Sequence, residues 1–279
     1  MELKFTKMHG CGNDYIYVNC FEQRLDDPNA VAATLSKRHF SVGSDGLIMI
    51  CPSETADAKM RMFNADGSEG KMCGNALRCV GKYLYDNGIA KKDVIKIETL
   101  SGIKTLNMHV KDGLAVGATA DVGKAVFEKE AVPVTWEAEG TVAVPLWIVD
   151  REFICTAVSV GSAHNVCFVE DTQSFDLEKY GPATENHAVF PDRVNAEFIT
   201  VKDPHNIDMR VWERGSGETW ACGTGASAAV AAACANGLCP YGEDVTVNLK
   251  GGKLVINVTE ERVLMTGPAV KVCDGITLL

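Results

Sequence analysis

Two cysteines, Cys73 and Cys222, occupy the same short context, in which each is followed by glycine and a small polar residue. This pattern is typical of the first turn of a helix. Backbone N–H groups in a first turn have no carbonyl partner within the helix, and the helix dipole is positive there, so both effects stabilise a thiolate. The same groups, at Gly74–Asn75 and Gly223–Thr224, can receive a carboxylate, because glycine lets an anion approach the backbone closely.

Two such thiols suit the inversion of the α-carbon of an amino acid without a cofactor. One base must take the α-proton from one face, and one acid must return a proton on the other face. We expect Cys73 and Cys222 to be this pair, on opposite faces of a buried substrate. An unperturbed thiol has a pKa of about 8.5, so a modest lowering of the pKa would place one thiolate near neutral pH.

An internal repeat relates the two cysteines, which are 149 residues apart. Asn87–Gly88 and Asn236–Gly237 each lie 14 residues after their cysteine, and weaker matches extend the repeat in both directions. Apolar residues at helical spacing from Ala76 to Leu84 predict one helix, and the alanine-rich run 226–235 predicts a second. The Asn-Gly pairs predict where both helices end.

Alternating apolar and β-branched segments predict strands around each helix, for example Tyr15–Val18, Leu47–Ile50 and Val94–Ile97. The sequence therefore predicts an α/β (α+β) fold of two β-rich, pseudo-symmetric halves, each with a central helix. The glycine-rich stretch from about residue 111 to residue 140 predicts a loop that crosses between the halves.

Composition excludes several functional classes. The net charge of -10 and the pI near 5.1 argue against a nucleic-acid partner, because binding to phosphates depends on clustered lysine and arginine. No apolar run approaches the roughly 18 residues needed to span a membrane, and the start lacks a signal-peptide core, so we expect a cytoplasmic protein. The eleven cysteines include no C-x-x-C pair, which favours thiols over disulfides or a zinc site.

Five motifs together resemble the diaminopimelate epimerase family over nearly the whole chain: His9–Asp14, Phe63–Glu69, Met72–Asn75, Asn195–Glu197 and Glu213–Gly225. The resemblance implies interconversion of LL- and meso-diaminopimelate, on the route to lysine and peptidoglycan, without pyridoxal phosphate or metal. It also implies two barrel-like sheets, each around its helix, with the last strand returning to the first domain. The domains would then be 1–122 plus 268–279, with Cys73, and 123–267, with Cys222. A homodimer is left open.

The resemblance also assigns roles to individual residues. Cys73 and Cys222 are implied to be the acid and the base. His164 falls where the family has a histidine that tunes the cysteine pair, and Glu213 matches a residue near the substrate ammonium and the thiols. The remaining implied substrate contacts are the side chains of Asn13, Asn64, Asn195 and Arg214 and the helix-start donors Gly74, Asn75, Gly223 and Thr224.

One position departs from the family pattern. The family usually has Gly-Asn-Pro-His where this chain has Gly161–His164, so Ser162 replaces an amide that contacts the distal carboxylate of the substrate. A racemase of another amino acid, for example histidine, with the same two cysteines therefore stays open. A non-catalytic thiol protein, acting in redox sensing or metal binding, is the alternative from a different class.

Overall fold

The structure is a computed structural model and describes residues 2–279. Its α-helices are α1 (Pro28–Leu35), α2 (Gly74–Asp86), α3 (Leu177–Glu185) and α4 (Gly223–Ala235). The first strands are β1 (Glu2–Gly10), β2 (Asn13–Asn19), β3 (Gly46–Cys51), β4 (Ala58–Asn64), β5 (Glu69–Gly70), β6 (Val94–Thr99), β7 (Gly102–Lys111) and β8 (Leu114–Gly123). The others are β9 (Val144–Ile148), β10 (Arg151–Ser159), β11 (Ala163–Phe168), β12 (Asn195–Asp203), β13 (Asn206–Glu213), β14 (Gly217–Glu218), β15 (Asp244–Leu249), β16 (Gly252–Val258), β17 (Val263–Pro268) and β18 (Val270–Leu278).

The predicted mixed fold class, rich in strands and poor in helices, is confirmed. None of the helices within residues 2–279 is both long and apolar enough to cross a membrane. The chain forms two compact units. Unit 1 contains the residues up to Ala120 together with Thr266–Leu279, and unit 2 contains Asp121–Met265. The chain leaves unit 1 within β8 and returns to it within β17.

In unit 1, neighbouring strands pair in the order β18, β1, β2, β3, β4, β6, β7, β8. The β2–β3 and β4–β6 pairs are parallel and the others are antiparallel. Helix α2 packs against β1, β2, β6 and β7. An apolar cluster that includes Ile16, Leu47 and Phe63 lies where α1 packs on β3 and β4.

In unit 2, strands pair in the order β9, β10, β11, β12, β13, β15, β16, with β11–β12 and β13–β15 parallel. Helix α4 packs against β10, β11, β12, β13, β15 and β16. An aromatic cluster fills the other face of the sheet, where Phe153 makes edge contacts with Tyr180 and Phe198.

The two units repeat one order of elements. The pairing of Ile16 with Leu47 in β2–β3 recurs as the pairing of Asn165 with Ala196 in β11–β12, at the offset of 149 residues seen in the sequence. Helices α2 and α4 hold the same place in this order, each after a short strand and before an antiparallel hairpin. Positions 149 residues apart are therefore structurally equivalent in this part of the two units.

Both predicted helix boundaries are confirmed. Cys73 and Cys222 are the N-cap residues, in extended conformation, and Asn87 and Asn236 are the C-caps. The glycine after each C-cap has a positive φ, +70° at Gly88 and +71° at Gly237, which favours glycine. The local sequence thus places both thiols at helix starts.

The predicted crossing loop from residue 111 to residue 140 is wrong in its first part, where β8 runs from Leu114 to Gly123. Buried residues recur along this strand with one interruption at Gly117 and Ala118, but the buried positions Ala115, Ala118 and Ala120 carry small side chains. Alanine contributes little to a strand signal, whereas Gly113 and Gly123, at the two ends of β8, are typical of a loop.

Helix α4 is buried on nearly all sides, which makes it intolerant of larger side chains. We expect Ala229→Leu to lower the free energy of unfolding by about 1–3 kcal/mol, because the added carbons have no room in a packed core. Denaturant unfolding followed by circular dichroism measures this change. Ala30→Leu on the exposed side of α1 is the control and is expected to change stability by less than about 0.5 kcal/mol; an equal loss in both variants would contradict this account of α4.

Candidate active site

The thiol of Cys222 lies at the start of α4 in unit 2. Its Sγ atom accepts a hydrogen bond from the backbone N–H of Gly225 at 3.3 Å and lies 3.5 Å from Oγ1 of Thr224. Burial raises the pKa of Cys222 well above its ordinary value, and the nearby carboxylates of Glu213 and Glu197 raise it further. The lowered pKa expected for one of the two thiols is therefore not that of Cys222, because desolvation and two negative charges outweigh the hydrogen-bond donors of the first turn.

A chain of polar side chains leads to the start of α4. Nδ1 of His164 lies 2.7 Å from Oε1 of Glu197, and Nε2 of His164 lies 2.9 Å from Oγ of Ser162. Both His164 and Glu197 are fully buried. Oε2 of Glu197 makes no hydrogen bond within the described residues. A carboxylate oxygen left in this state is costly, and such groups are typical of functional sites.

Glu213 is the second carboxylate near Cys222. Burial raises the pKa of Glu213, and the charge of Glu197 raises it further, whereas a hydrogen bond from Thr219 and the proximity of His164 oppose the rise. The hydroxyl of Thr219 donates to Oε1 of Glu213 at 2.5 Å. Unit 2 thus brings His164, Glu213 and Cys222 together.

Asn195 and Arg214 lie beside this group at the ends of β12 and β13. Oδ1 of Asn195 accepts a hydrogen bond from the backbone N–H of Arg214, and Nδ2 of Asn195 donates to the carbonyl of Ala163, both at 3.0 Å. The guanidinium of Arg214 donates to the carbonyl of Asp192 at 3.0 Å. A hydrogen bond from the backbone of Arg214 to the side chain of Asn195 therefore joins these two predicted substrate contacts.

In unit 1, an amide network surrounds Cys73. Sγ of Cys73 donates to Oδ1 of Asn13 at 3.3 Å, and Nδ2 of Asn75 donates to the same oxygen at 3.3 Å. Nδ2 of Asn13 in turn donates to Asp45 at 2.8 Å, which fixes the orientation of the Asn13 amide. The structure thus brings three predicted site residues together at the start of α2.

Arg78 supports this network from within α2. Its fully buried guanidinium donates to Oδ1 of Asn75 at 2.8 Å and to the carbonyl of Gly74 at 3.3 Å. At the equivalent position of α4, Ser227 donates to the carbonyl of Gly223 at 2.9 Å. The two helix starts therefore share a backbone geometry but differ in charge, since unit 1 places a cation near its cysteine and unit 2 places two carboxylates near its cysteine.

Asn64 is the last residue of β4, at the turn to β5. Its side chain donates to Oγ of Ser68 at 2.9 Å, and its backbone N–H donates to the carbonyl of the same residue at 2.8 Å. The structure thus gives Asn64 a role in the turn, and its contact with substrate stays a prediction.

Comparison with known proteins places this arrangement in a family. The sequence model of the family described as diaminopimelate epimerase matches residues 5–128 and 156–272. The chain belongs to the diaminopimelate epimerase family. A diaminopimelate epimerase of Acetivibrio thermocellus is 52% identical over 275 residues, which cover 98% of each chain. One from Methanococcus maripaludis is 47% identical, over 98% of this chain and 99% of its own.

A solved structure supports the same fold assignment. The crystal structure of a phenazine biosynthesis protein of the PhzF family from Bacillus anthracis matches with a TM-score of 0.75, covering 100% of both chains at 18% identity. At this identity the likeness concerns the fold alone. The family and the fold predicted from the motifs are confirmed.

The structure adds residues to which the motifs gave no individual role: Asp45, Arg78, Glu197 and Thr219. Glu197 carried a signal, since a charged residue stands between apolar neighbours in a buried strand. Arg78 resembled an ordinary polar position of an amphipathic helix, and only its complete burial marks it. The partner of Asp45 is set by a tertiary contact, and that of Thr219 by the β13–β14 hairpin.

Gly225 tests how tightly the start of α4 is packed. A Cβ atom at this position would lie 2.7 Å from Oε1 of Glu197 and 3.2 Å from Sγ of Cys222. We expect Gly225→Ala to displace both groups and to lower stability by about 1–3 kcal/mol, together with a large loss of activity. Activity assays and denaturant unfolding measure both effects. Gly140→Ala, whose Cβ would meet nothing within 4 Å, is the matched control, and unchanged behaviour of Gly225→Ala would show that this packing is looser than described.

The raised pKa of Cys222 gives a prediction for alkylation by iodoacetamide, which reacts with the thiolate. A raised pKa means that the thiolate forms only at higher pH, so labelling of Cys222 should rise late in a pH series. Glu213→Gln removes one of the charges that raise the pKa of Cys222. In this variant the labelling curve of Cys222 should therefore move to lower pH. Mass spectrometry of the labelled peptide reads the curve. Glu218→Gln, which removes a carboxylate paired with Arg210, should leave the curve in place; a shift with Glu218→Gln but not with Glu213→Gln would refute the assignment.

Proposed function

We propose that this chain interconverts LL- and meso-diaminopimelate, with the thiols of Cys73 and Cys222 acting on opposite faces of the substrate α-carbon. The observation that carries the proposal is the cysteine N-cap of the central helix, repeated in both units. The relatives named diaminopimelate epimerase, which cover nearly the full chain, support the substrate. The reaction needs one acid and one base, and two thiols exchange these roles when the direction reverses.

The unequal charges around the two cysteines define a resting state for this mechanism. Burial and the carboxylates of Glu213 and Glu197 keep Cys222 protonated. The buried cation of Arg78 lies near Cys73, so the active starting state is the one in which Cys73 has lost the proton that its thiol donates to Asn13. In the direction that starts from this state, the Cys73 thiolate takes the α-proton. The Cys222 thiol then delivers its own proton to the other face of the carbanion.

Substrate binding would reduce the barrier to the second step. The α-ammonium of the substrate can pair with Glu213, which removes one of the charges that oppose a thiolate on Cys222. The α-carboxylate can accept hydrogen bonds from the first turn of α4, at Gly223 and Thr224, where the helix dipole also stabilises the negative charge of the carbanion. Charge on the bound substrate and charge on the thiol are thereby coupled through one carboxylate.

The distal end of diaminopimelate carries a second carboxylate and a second ammonium. We infer that Asn64, Asn195 and Arg214 bind it, because an arginine fork and amide groups match a carboxylate. Ser162 is the position where another substrate could be favoured. Its hydroxyl is hydrogen bonded to His164, and it stands where Asn13 stands in unit 1.

Removal of either thiol tests the mechanism. We expect Cys73→Ala and Cys222→Ala each to reduce epimerisation by about 10²–10⁴-fold or more, because each variant lacks one of the two proton carriers. Chiral analysis of the products and deuterium uptake at the α-carbon in D2O measure the reaction. Cys234→Ala, in the last turn of α4, is the control and should retain activity. Ready turnover by either helix-start variant would reject the two-thiol mechanism.

The substrate is tested separately with the wild-type chain. LL-diaminopimelate is compared with a panel of free amino acids that includes histidine and proline. We expect inversion and α-deuteration of diaminopimelate alone. Preferred inversion of another amino acid would assign the chain to the alternative racemase. Recovery of diaminopimelate inversion in Ser162→Asn would then locate the difference at Ser162.

A further inference from the structure

Besides the two cysteines at the helix starts, a second pair, Cys20 and Cys51, lies in unit 1 at the ends of the parallel strands β2 and β3. The registered pairs of β2 and β3 end with Asn19 and Ile50, and the backbone N–H of Cys20 donates to the carbonyl of Ile50 at 2.8 Å, so the ladder continues. Cys20 and Cys51 are the next residues of the two strands and point to the same face. Sγ of Cys20 donates to the carbonyl of Val18 at 3.7 Å, and Cys51 is its neighbour across the ladder.

This geometry suits a disulfide bond. Neighbouring strands lie about 4.7–4.9 Å apart, within the Cα separation of about 4.4–6.8 Å that a disulfide spans. Cys20 and Cys51 both lie at the edge of the apolar cluster beneath α1 and are partly exposed to solvent. A small oxidant can therefore reach the sulfur atoms without a change in the backbone.

The two thiols have different electrostatic surroundings. Cys51 stands directly opposite Lys59 in the β3–β4 register, and Arg61 lies two residues along the same face. The neighbouring thiol of Cys20 lowers the pKa of Cys51, and the charges of Arg61 and Lys59 lower it further, although partial burial opposes them. The neighbouring Cys51 and burial raise the pKa of Cys20. Cys51 is therefore the nucleophile of the pair and Cys20 keeps its proton.

A third cysteine pair shows that contact alone does not produce this reactivity. Cys155 and Cys167 face each other in β10 and β11, with their sulfur atoms 3.2 Å apart. Both are fully buried in the aromatic core of unit 2, and burial raises the pKa of Cys167 well above its ordinary value. Within residues 2–279 this pair has neither solvent access nor an adjacent cation, and it serves as an internal control.

We propose that Cys20 and Cys51 form a peroxide-reactive thiol pair, a modification site separate from the cysteines at the helix starts. The Cys51 thiolate attacks one oxygen of hydrogen peroxide, the O–O bond breaks, and the departing hydroxide takes up a proton to become water. The sulfur of Cys20 then attacks the resulting Cys51 sulfenic acid, the S–O bond breaks, and the proton of Cys20 leaves with the hydroxyl group as water. Two thiols and one peroxide thus give one disulfide and two water molecules.

Peptide mapping of the full chain tests the proposal. Reduced protein, with Cys73 and Cys222 both changed to alanine so that they cannot compete, is treated with hydrogen peroxide, blocked with N-ethylmaleimide and digested. We expect a disulfide-linked peptide that joins Cys20 to Cys51, formed before any link between Cys155 and Cys167. In Cys20→Ser, dimedone should instead trap a sulfenic acid on Cys51.

A matched pair of variants tests the part played by the cation. Arg61→Gln should slow oxidation of Cys51 roughly threefold, because loss of the neighbouring cation raises the pKa of Cys51 and lowers its thiolate fraction. Glu69→Gln removes the carboxylate that pairs with Arg61 but keeps the cation, so oxidation should be at least as fast as in the parent. Equal slowing in both variants would show that the ion pair acts only on the fold.

Two results would overturn the proposal. One is a peptide map in which Cys20 and Cys51 remain reduced while the buried pair or scattered cysteines are oxidised. The other is a dimedone adduct on Cys20 rather than on Cys51 when each is studied in the serine variant of its partner. Neither depends on epimerase activity, so the test is independent of the proposed function.

Discussion

The start of α4 places a thiol where two electrostatic effects oppose each other. The N-terminal dipole of the helix and the N–H of Gly225 stabilise a negative charge on Cys222, while burial and the carboxylates of Glu213 and Glu197 destabilise it. Burial and the two carboxylates outweigh the dipole and the N–H group, so the pKa of Cys222 is raised. Much of unit 2 keeps these groups in place. Strand β12 holds Glu197 against His164, and Glu213, the last residue of β13, lies near the start of α4.

The two units show that a repeated backbone can carry opposite charges. Equivalent positions hold Arg78 in α2 and Ser227 in α4, and both side chains donate to the carbonyl of the first helical residue. In β12, Glu197 stands where β3 has Ile48. The element order, registers and helix caps are retained, so the difference between the two thiols resides in a few buried side chains.

The parts of the structure that depend on local sequence could be predicted. The helix starts at Cys73 and Cys222 and the stops at Asn-Gly follow from capping rules, and the motifs correctly indicated the family. The role of Arg78 and the pairing of His164 with Glu197 could not, because they arise from burial and from strand neighbours 33 residues apart. The same reason explains why the sequence did not indicate which of the two thiols has a raised pKa, since the pKa of Cys222 depends on desolvation that a sequence does not display.

Helix α4 contains no side chain larger than valine and is surrounded by strands on nearly all sides. Its backbone can therefore lie close to the sheet, and its N-terminus has little freedom to move. A lineage of this enzyme adapting to a more acidic or more alkaline interior would find few acceptable substitutions on the helix itself. A change in the pKa of Cys222 would have to come from residues of the surrounding strands. Variation among relatives should therefore concentrate in the strand residues that face the start of α4 rather than in α4 itself.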